Sequence, residues 1–244
     1  MNRTVVLSGA AGGIGEVLAR GLLEVGATVA ATDLDMPRLE ALRERLGASP
    51  RLTLHAADVG READCAKLAE DVRCAHGHVD ILINNAGHFP LKPFREITYA
   101  DWRDIIRINL DSVFLMTQAF LPLIEGRGWG RLINIGSGSV LRGVPTQVHY
   151  VSAKAGVLGF TRSMARLLGP QGITANVVAP GLTSSAQVRA HVPQEFIDRI
   201  MRERAIPREQ QPEDLAGAVL FLCSTQSDFM TGQSLNVDGG AQMT

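Results

Sequence analysis

Short apolar runs rich in β-branched residues alternate along the chain with longer stretches in which apolar positions recur at helical spacing. The runs predict strands at residues 4–8, 27–32, 52–56, 81–84, 131–136, 174–179 and 234–237, each followed by turn residues or a helical pattern. Along these strands the apolar character is nearly continuous rather than alternating, which means that both faces are covered. Helices on the two sides of a parallel sheet provide that burial, so the pattern predicts an α/β fold: a doubly wound parallel sheet in a single domain. Ligands of such sheets bind beyond the carboxyl ends of the strands. The one long stretch without a clear period, residues 182–211 with Pro193, Pro207 and the following Pro212, is read as a mobile lid over that rim.

Composition narrows the class of ligand. With 244 residues and 45% hydrophobic content, the chain can bury one large core. Net charge is −1, from 24 basic and 25 acidic residues without a basic run, so neither nucleic acid nor an anionic membrane has electrostatic support as a partner. A small molecule is the expected ligand. Cys65, Cys74 and Cys223 are odd in number and lack paired spacing, and Met1-Asn2-Arg3 leads straight into an apolar strand. A reduced, cytoplasmic protein is therefore expected. His76 and His78 diverge on a helix and have no companion ligands, so no metal site is expected.

Several polar residues fall where such a sheet would gather them. Tyr150 and Lys154 are four residues apart, one turn of a helix, so an ammonium can lie beside a phenol and favour its ionised form. A free tyrosine titrates near ~10, and a fixed positive charge is what would let it act as a general base near neutral pH. Between the first strand and its helix stands Ser8-Gly9-Ala10-Ala11-Gly12-Gly13-Ile14-Gly15. Missing side chains there let a pyrophosphate approach backbone N–H groups and a helix N-terminus. Asp33, with Leu34 beside it, ends the second strand, where a carboxylate can bind adenosine ribose hydroxyls and repel a 2′-phosphate. No Arg or Lys follows it directly, which points to NAD over NADP. The alternative is that Asp33 caps the next helix, which Asp35 could do equally well. Asp58-Val59 and Asn84-Asn85-Ala86-Gly87 end the third and fourth strands on the same rim, as cleft residues or as plain Asx turns.

Taken in order and spacing, these motifs resemble those of the short-chain dehydrogenase/reductase family over essentially the whole chain. The glycine turn at 8–15, Asn84 to Gly87, Asn109, Ser137, Tyr150 with Lys154, Asn176 to Gly181 and Val237 to Gly240 all match family positions. The resemblance implies a Rossmann fold, an NAD cofactor and a homotetramer. It also implies roles: Tyr150 exchanges a proton with substrate oxygen, Ser137 polarises that oxygen, Lys154 binds the nicotinamide ribose and biases Tyr150 toward phenolate, and Asn109 holds a relay water. Cofactor contacts are implied at Gly9, Ala11, Gly12, Gly13, Ile14, Gly15, Asp33, Leu34, Asp58, Val59, Asn85, Ala86, Gly87, Pro180 and Gly181. The nicotinamide carboxamide would meet either the Thr183 backbone or the Ser185 hydroxyl. An Asn inside the long helix predicted from Asp101 weakens that helix, so a bonding partner for Asn109 is expected. Two departures are visible: Ser8 stands where a threonine is usual, and Gly136 where many relatives carry a second serine.

The activity implied is direct hydride transfer between NAD and a secondary alcohol or ketone. His88, Phe89, Leu91, Ser139, Leu141, His149 and Leu182 are the residues expected to face the substrate, a mostly apolar wall suited to an aromatic or alicyclic carbonyl. The strings at 88–94, 149–150 and 205–208 resemble the branch containing 1-phenylethanol and pyridoxal 4-dehydrogenases. The alternatives are a 3-oxoacyl-carrier-protein reductase, against which Asp33 and the near-neutral charge speak, and a cofactor-binding regulator, which would need no proton donor.

Overall fold

The computed structural model describes residues 2–243, and all their side chains except those of Ala186, Gln187 and His191. Seven strands, β1 (Thr4–Ser8), β2 (Thr28–Asp33), β3 (Leu52–Ala56), β4 (Ile81–Asn84), β5 (Gly130–Ile135), β6 (Ile173–Pro180) and β7 (Ser234–Val237), form one sheet. Their order is β3-β2-β1-β4-β5-β6-β7 and every pairing is parallel. The chain runs outward from β1 to β3, then returns to the other side of β1, so the switch point lies between β1 and β4. Crossovers that cover both faces account for the unbroken apolar character of the strands.

Two apolar layers result. Alternate residues of β1 and β2, Val5, Leu7, Val29 and Ala31, pack with α1 (Gly13–Glu24), α2 (Met36–Arg45) and α10 (Glu213–Leu222). Val6, Ala30 and Leu82 point the other way, toward α3 (Glu62–His76), α5 (Ser112–Ile124) and α7 (Val148–Leu168). Asn134 is fully buried on β5, accepting from Asn84 Nδ2 at 2.8 Å and donating to Thr161 Oγ1 at 2.8 Å. This chain of amides ties β4, β5 and α7 together below the site, with the Asn84 Oδ1 left as its one unpartnered atom.

Two expectations need correction. The long helix around Asn109 is interrupted: α4 (Tyr99–Ile106) passes through a π-helical turn at Arg107–Asp111 before α5 begins. Asn109 Nδ2 donates to the Ile105 carbonyl at 3.0 Å, and such a side-chain bond to the preceding turn widens a helix locally. Residues 182–211, read from sequence as patternless, contain α8 (Ala186–His191) and α9 (Gln194–Glu203). Phe196, Ile197, Ile200 and Met201 do recur at helical spacing, and α9 buries Ile197 and Ile200. The remaining short helix, α6 (Ser139–Arg142), follows β5. Among the described residues, no helix is long and apolar enough to cross a membrane, and Cys65, Cys74 and Cys223 are free.

Candidate active site

A cleft of about 510 Å³ runs along the carboxyl edge of the sheet across the switch point, within the ~300–1,000 Å³ of small-molecule sites. One end is the turn between β1 and α1. Gly9 has φ +63, and a Cβ on it would lie 2.8 Å from the Ala86 Cα. Gly15 packs the start of α1 against the turn, where a Cβ would meet the Ala10 Cα at 2.8 Å. Both positions therefore admit only glycine. Ser8 and Asn85 lock this turn to the end of β4: Ser8 Oγ accepts from the Asn85 and Ala86 N–H groups at 3.0 and 3.1 Å. In return, Asn85 Nδ2 donates to the Ser8 and Gly9 carbonyls at 2.9 and 3.0 Å. Around Gly12 and Gly13 the nearest neighbours of a Cβ lie at 3.3 and 3.4 Å, which leaves a side-chain-free floor at the helix N-terminus suited to a pyrophosphate.

Asp33 stands beside that floor. Its Oδ2 accepts from Ala11 N at 3.0 Å and its Oδ1 from Leu34 N at 2.9 Å, while Leu34 is exposed at the cleft edge. Ala11 itself is absent from the cleft wall and acts through this backbone bond. Asp35, not Asp33, occupies the N-cap position of α2. No Arg or Lys directly follows Asp33, but Arg38, five residues on, comes close to it in space. This residue lies in the first turn of α2, which folds back over the end of β2, and it reaches Asp33 Oδ1 at 3.5 Å. Asp58 and Val59 line the cleft as expected, and Arg107 from the π-helical turn joins them, with Nη1 3.0 and 2.9 Å from the two Asp58 oxygens.

At the other end, Ser137, Tyr150 and Lys154 meet, delivered by the end of β5 and by α7. Lys154 is 3% exposed and donates to the Ile135 carbonyl at 2.8 Å, with its Nζ 5.8 Å from the centre of the Tyr150 ring. Burial pushes the Tyr150 phenol up to about 12, opposed by its hydrogen bond with Ser137. Burial likewise brings the Lys154 ammonium down to about 8. In the protein alone, burial thus favours the neutral phenol of Tyr150 and also disfavours the charge on Lys154.

Asn109 has the partners its helical position demands. Its Oδ1 accepts from His88 N at 3.2 Å, and its Nδ2 donates to the His88 carbonyl at 2.9 Å as well as to Ile105. Both amide protons are spent on the protein, so the side chain fastens the loop after β4 above Lys154. Gly87 fits between them, since a Cβ there would lie 3.0 Å from Asn109 Oδ1 and 3.6 Å from Lys154 Nζ.

Pro180, Gly181, Leu182, Thr183 and Ser185 complete the wall beside Ser137. Ser185 Oγ caps α8 by accepting from Val188 N at 3.1 Å, whereas Thr183 Oγ1 donates to the Gly181 carbonyl at 3.2 Å. His88, Phe89 and Ser139 line the substrate end, where Phe89 meets the Tyr150 ring edge-on at 6.2 Å. Leu91, Leu141 and His149 do not line the cleft. Leu141 is 46% exposed on the outer side of α6, and His149, one residue before Tyr150 on α7, is turned into the packing and fully buried. The sequence reading missed Val188, Phe196, Ile200 and Arg204 from the segment after β6, and Arg142 from α6. The apolar spacing within α9 was the available signal for Phe196 and Ile200.

Residues 9–242 match the family model described as enoyl-(acyl carrier protein) reductase. A hydroxy(phenyl)methylsuccinyl-CoA dehydrogenase subunit of Thauera aromatica is 36% identical over 243 residues, covering 99% of this chain and 97% of the relative. The 3-oxoacyl-acyl-carrier-protein reductase of Escherichia coli is 35% identical, with 99% of this chain and 98% of the relative covered. A crystal structure described as a short-chain dehydrogenase/reductase, glucose/ribitol dehydrogenase, from Brucella melitensis superposes with a TM-score of 0.94. It is 33% identical, and the match covers 100% of this chain and 98% of that one.

Proposed function

The chain belongs to the short-chain dehydrogenase/reductase family, and from that premise we propose an NAD-dependent dehydrogenase that interconverts a secondary alcohol and a ketone. The observation that carries this reading is the convergence of Ser137, Tyr150 and Lys154 on one wall of a cleft whose far end is a glycine floor flanked by Asp33. The residues present fit a dinucleotide. Gly12 and Gly13 would take the pyrophosphate, Asp33 the adenosine ribose, Lys154 the nicotinamide ribose, and Thr183 or Ser185 the carboxamide.

A nicotinamide bound there would supply or accept the hydride, and its oxidised form would add a positive charge to the cleft. Tyr150 holds the proton that substrate oxygen gains or loses, and Ser137 donates a hydrogen bond that polarises the same oxygen. A neutral phenol is the form required for ketone reduction; alcohol oxidation requires the phenolate. Lys154 stabilises that phenolate electrostatically, and Asn109 keeps the loop at Gly87 and His88 pressed over the lysine. Phe89, Leu182, Val188, Phe196 and Ile200 exclude water and favour an aromatic or alicyclic substrate.

A regulator without turnover has no use for a proton donor beside the hydride position. A second reading, reduction of a 3-oxoacyl thioester, is favoured by the named activities of the relatives from Escherichia coli and Thauera aromatica. The test is reduced-nicotinamide absorbance over a panel of secondary alcohols with NAD, alongside acetoacetyl-CoA with NADH and NADPH. Tyr150→Phe should lower turnover by ~10² or more while cofactor still binds. A Tyr150→Phe enzyme with near-full activity would remove the proton-transfer assignment. Preferred turnover of the thioester would replace the alcohol reading with the second one.

A further inference from the structure

Asp33 is less available to a ribose than its place in the fold suggests. A carboxylate oxygen has two good acceptor directions. Oδ1 already receives Leu34 N at 2.9 Å and Arg38 Nη1 at 3.5 Å, while Oδ2 receives Ala11 N at 3.0 Å. One direction on Oδ2 is therefore left, and a two-point grip on both ribose hydroxyls requires Arg38 to leave Oδ1. Arg38 is free to do so: its side chain is 55% exposed and its other bond is from Nη2 to the Ala11 carbonyl at 3.1 Å, at the foot of the glycine turn. Arg38 also lines the cleft. Arg45, on the same helix, is engaged by Glu16 at 2.9 Å and does not line the cleft.

We propose that Arg38 is a cofactor-specificity residue, competing with the ribose for Asp33 and offering a 2′-phosphate a cation, so that the chain accepts NADP as a second cofactor. This rests on the dinucleotide reading of the cleft and deepens it. The guanidinium is planar, permanently charged and suited to phosphate, and it offsets the carboxylate that would otherwise repel the phosphate. Leu34, exposed beside it, leaves the approach open to solvent. Discrimination between NAD and NADP is thereby smaller than Asp33 alone would impose.

Calorimetric titration with 2′-AMP and 5′-AMP reads the adenosine end without turnover. Arg38→Met keeps the aliphatic stem and removes the charge. It should weaken 2′-AMP by about tenfold, the scale of one charged hydrogen bond at a solvated site, while leaving 5′-AMP unchanged or slightly tighter. Arg38→Lys should recover part of the loss. In steady state, the ratio of kcat/KM for NAD over NADP should widen by a similar factor in Arg38→Met. Equal shifts for the two nucleotides, or none, would overturn the proposal. Absence of turnover with any alcohol or thioester would instead refute the dehydrogenase reading, and the titrations would still report on Arg38.

Discussion

Lys154 carries a charge the fold would be better off without. It is 3% exposed, it donates one hydrogen bond to the Ile135 carbonyl at 2.8 Å, and burial lowers its ammonium from 10.5 to about 8. A depressed lysine makes the folded state bind its proton less tightly than the unfolded state does. The penalty is full below about pH 8, declines between about 8 and 10.5, and vanishes above that range. Its size follows from the shift at ~1.4 kcal/mol per unit, or about 3 kcal/mol at neutral pH. Lys154→Met keeps the volume and removes the charge, but orphans the Ile135 carbonyl at a cost of about 1 kcal/mol. A net gain of about 2 kcal/mol remains, which for a chain of this size raises Tm by about 4 °C. Turnover, by contrast, should collapse, because the phenolate and the nicotinamide ribose lose their cation. Thermal melts of both proteins at pH 7 and at pH 10, paired with alcohol oxidation, decide it: the Tm advantage should be present at pH 7 and nearly gone at pH 10. A variant that melts lower than wild type at pH 7, or a pH-independent advantage, would refute the claim that desolvation dominates this lysine.

Other outcomes are expected. Because burial raises Tyr150 to about 12, alcohol oxidation should rise with pH through the neutral and alkaline range as the phenolate fraction grows, while ketone reduction should not; parallel pH–rate profiles would contradict the assignment. Gly136→Ser introduces a Cβ 2.6 Å from Val177 Cγ1 and should cost ~1–3 kcal/mol in denaturant unfolding, with Val177→Ala restoring part of it; additive losses in the double variant would argue against that contact. The segment after β6 is pinned at its base, where Thr183 pairs with Gln210 and Arg204 donates to the Leu182 carbonyl at 2.7 Å. A lid formed by α8 and α9 should be cut first by limited proteolysis, between residues 186 and 203, and cleavage should slow on addition of NAD and substrate; equal cleavage with and without ligands would count against a lid.

The sheet was legible because parallel strands covered on both faces must be apolar throughout, and that requirement is written locally. β1, β3, β4 and β7 begin and end at the residues the pattern names. The glycine turn was legible for a related reason: Gly9 and Gly15 face backbone at distances no Cβ allows, so the constraint shows in the sequence as missing side chains. Spacing also placed Tyr150 and Lys154 on one helix face, since helical periodicity is local geometry. Three things lay beyond local pattern. The break at Arg107–Asp111 depends on Asn109 choosing the Ile105 and His88 carbonyls over solvent. The proximity of Arg38 to Asp33 depends on how α2 folds back over β2, which residue adjacency does not reveal. Whether Tyr150 is a phenol or a phenolate depends on a balance between desolvation and charge. A sequence names both groups in that balance, but only tertiary packing fixes how much water each one loses and how far apart they stand.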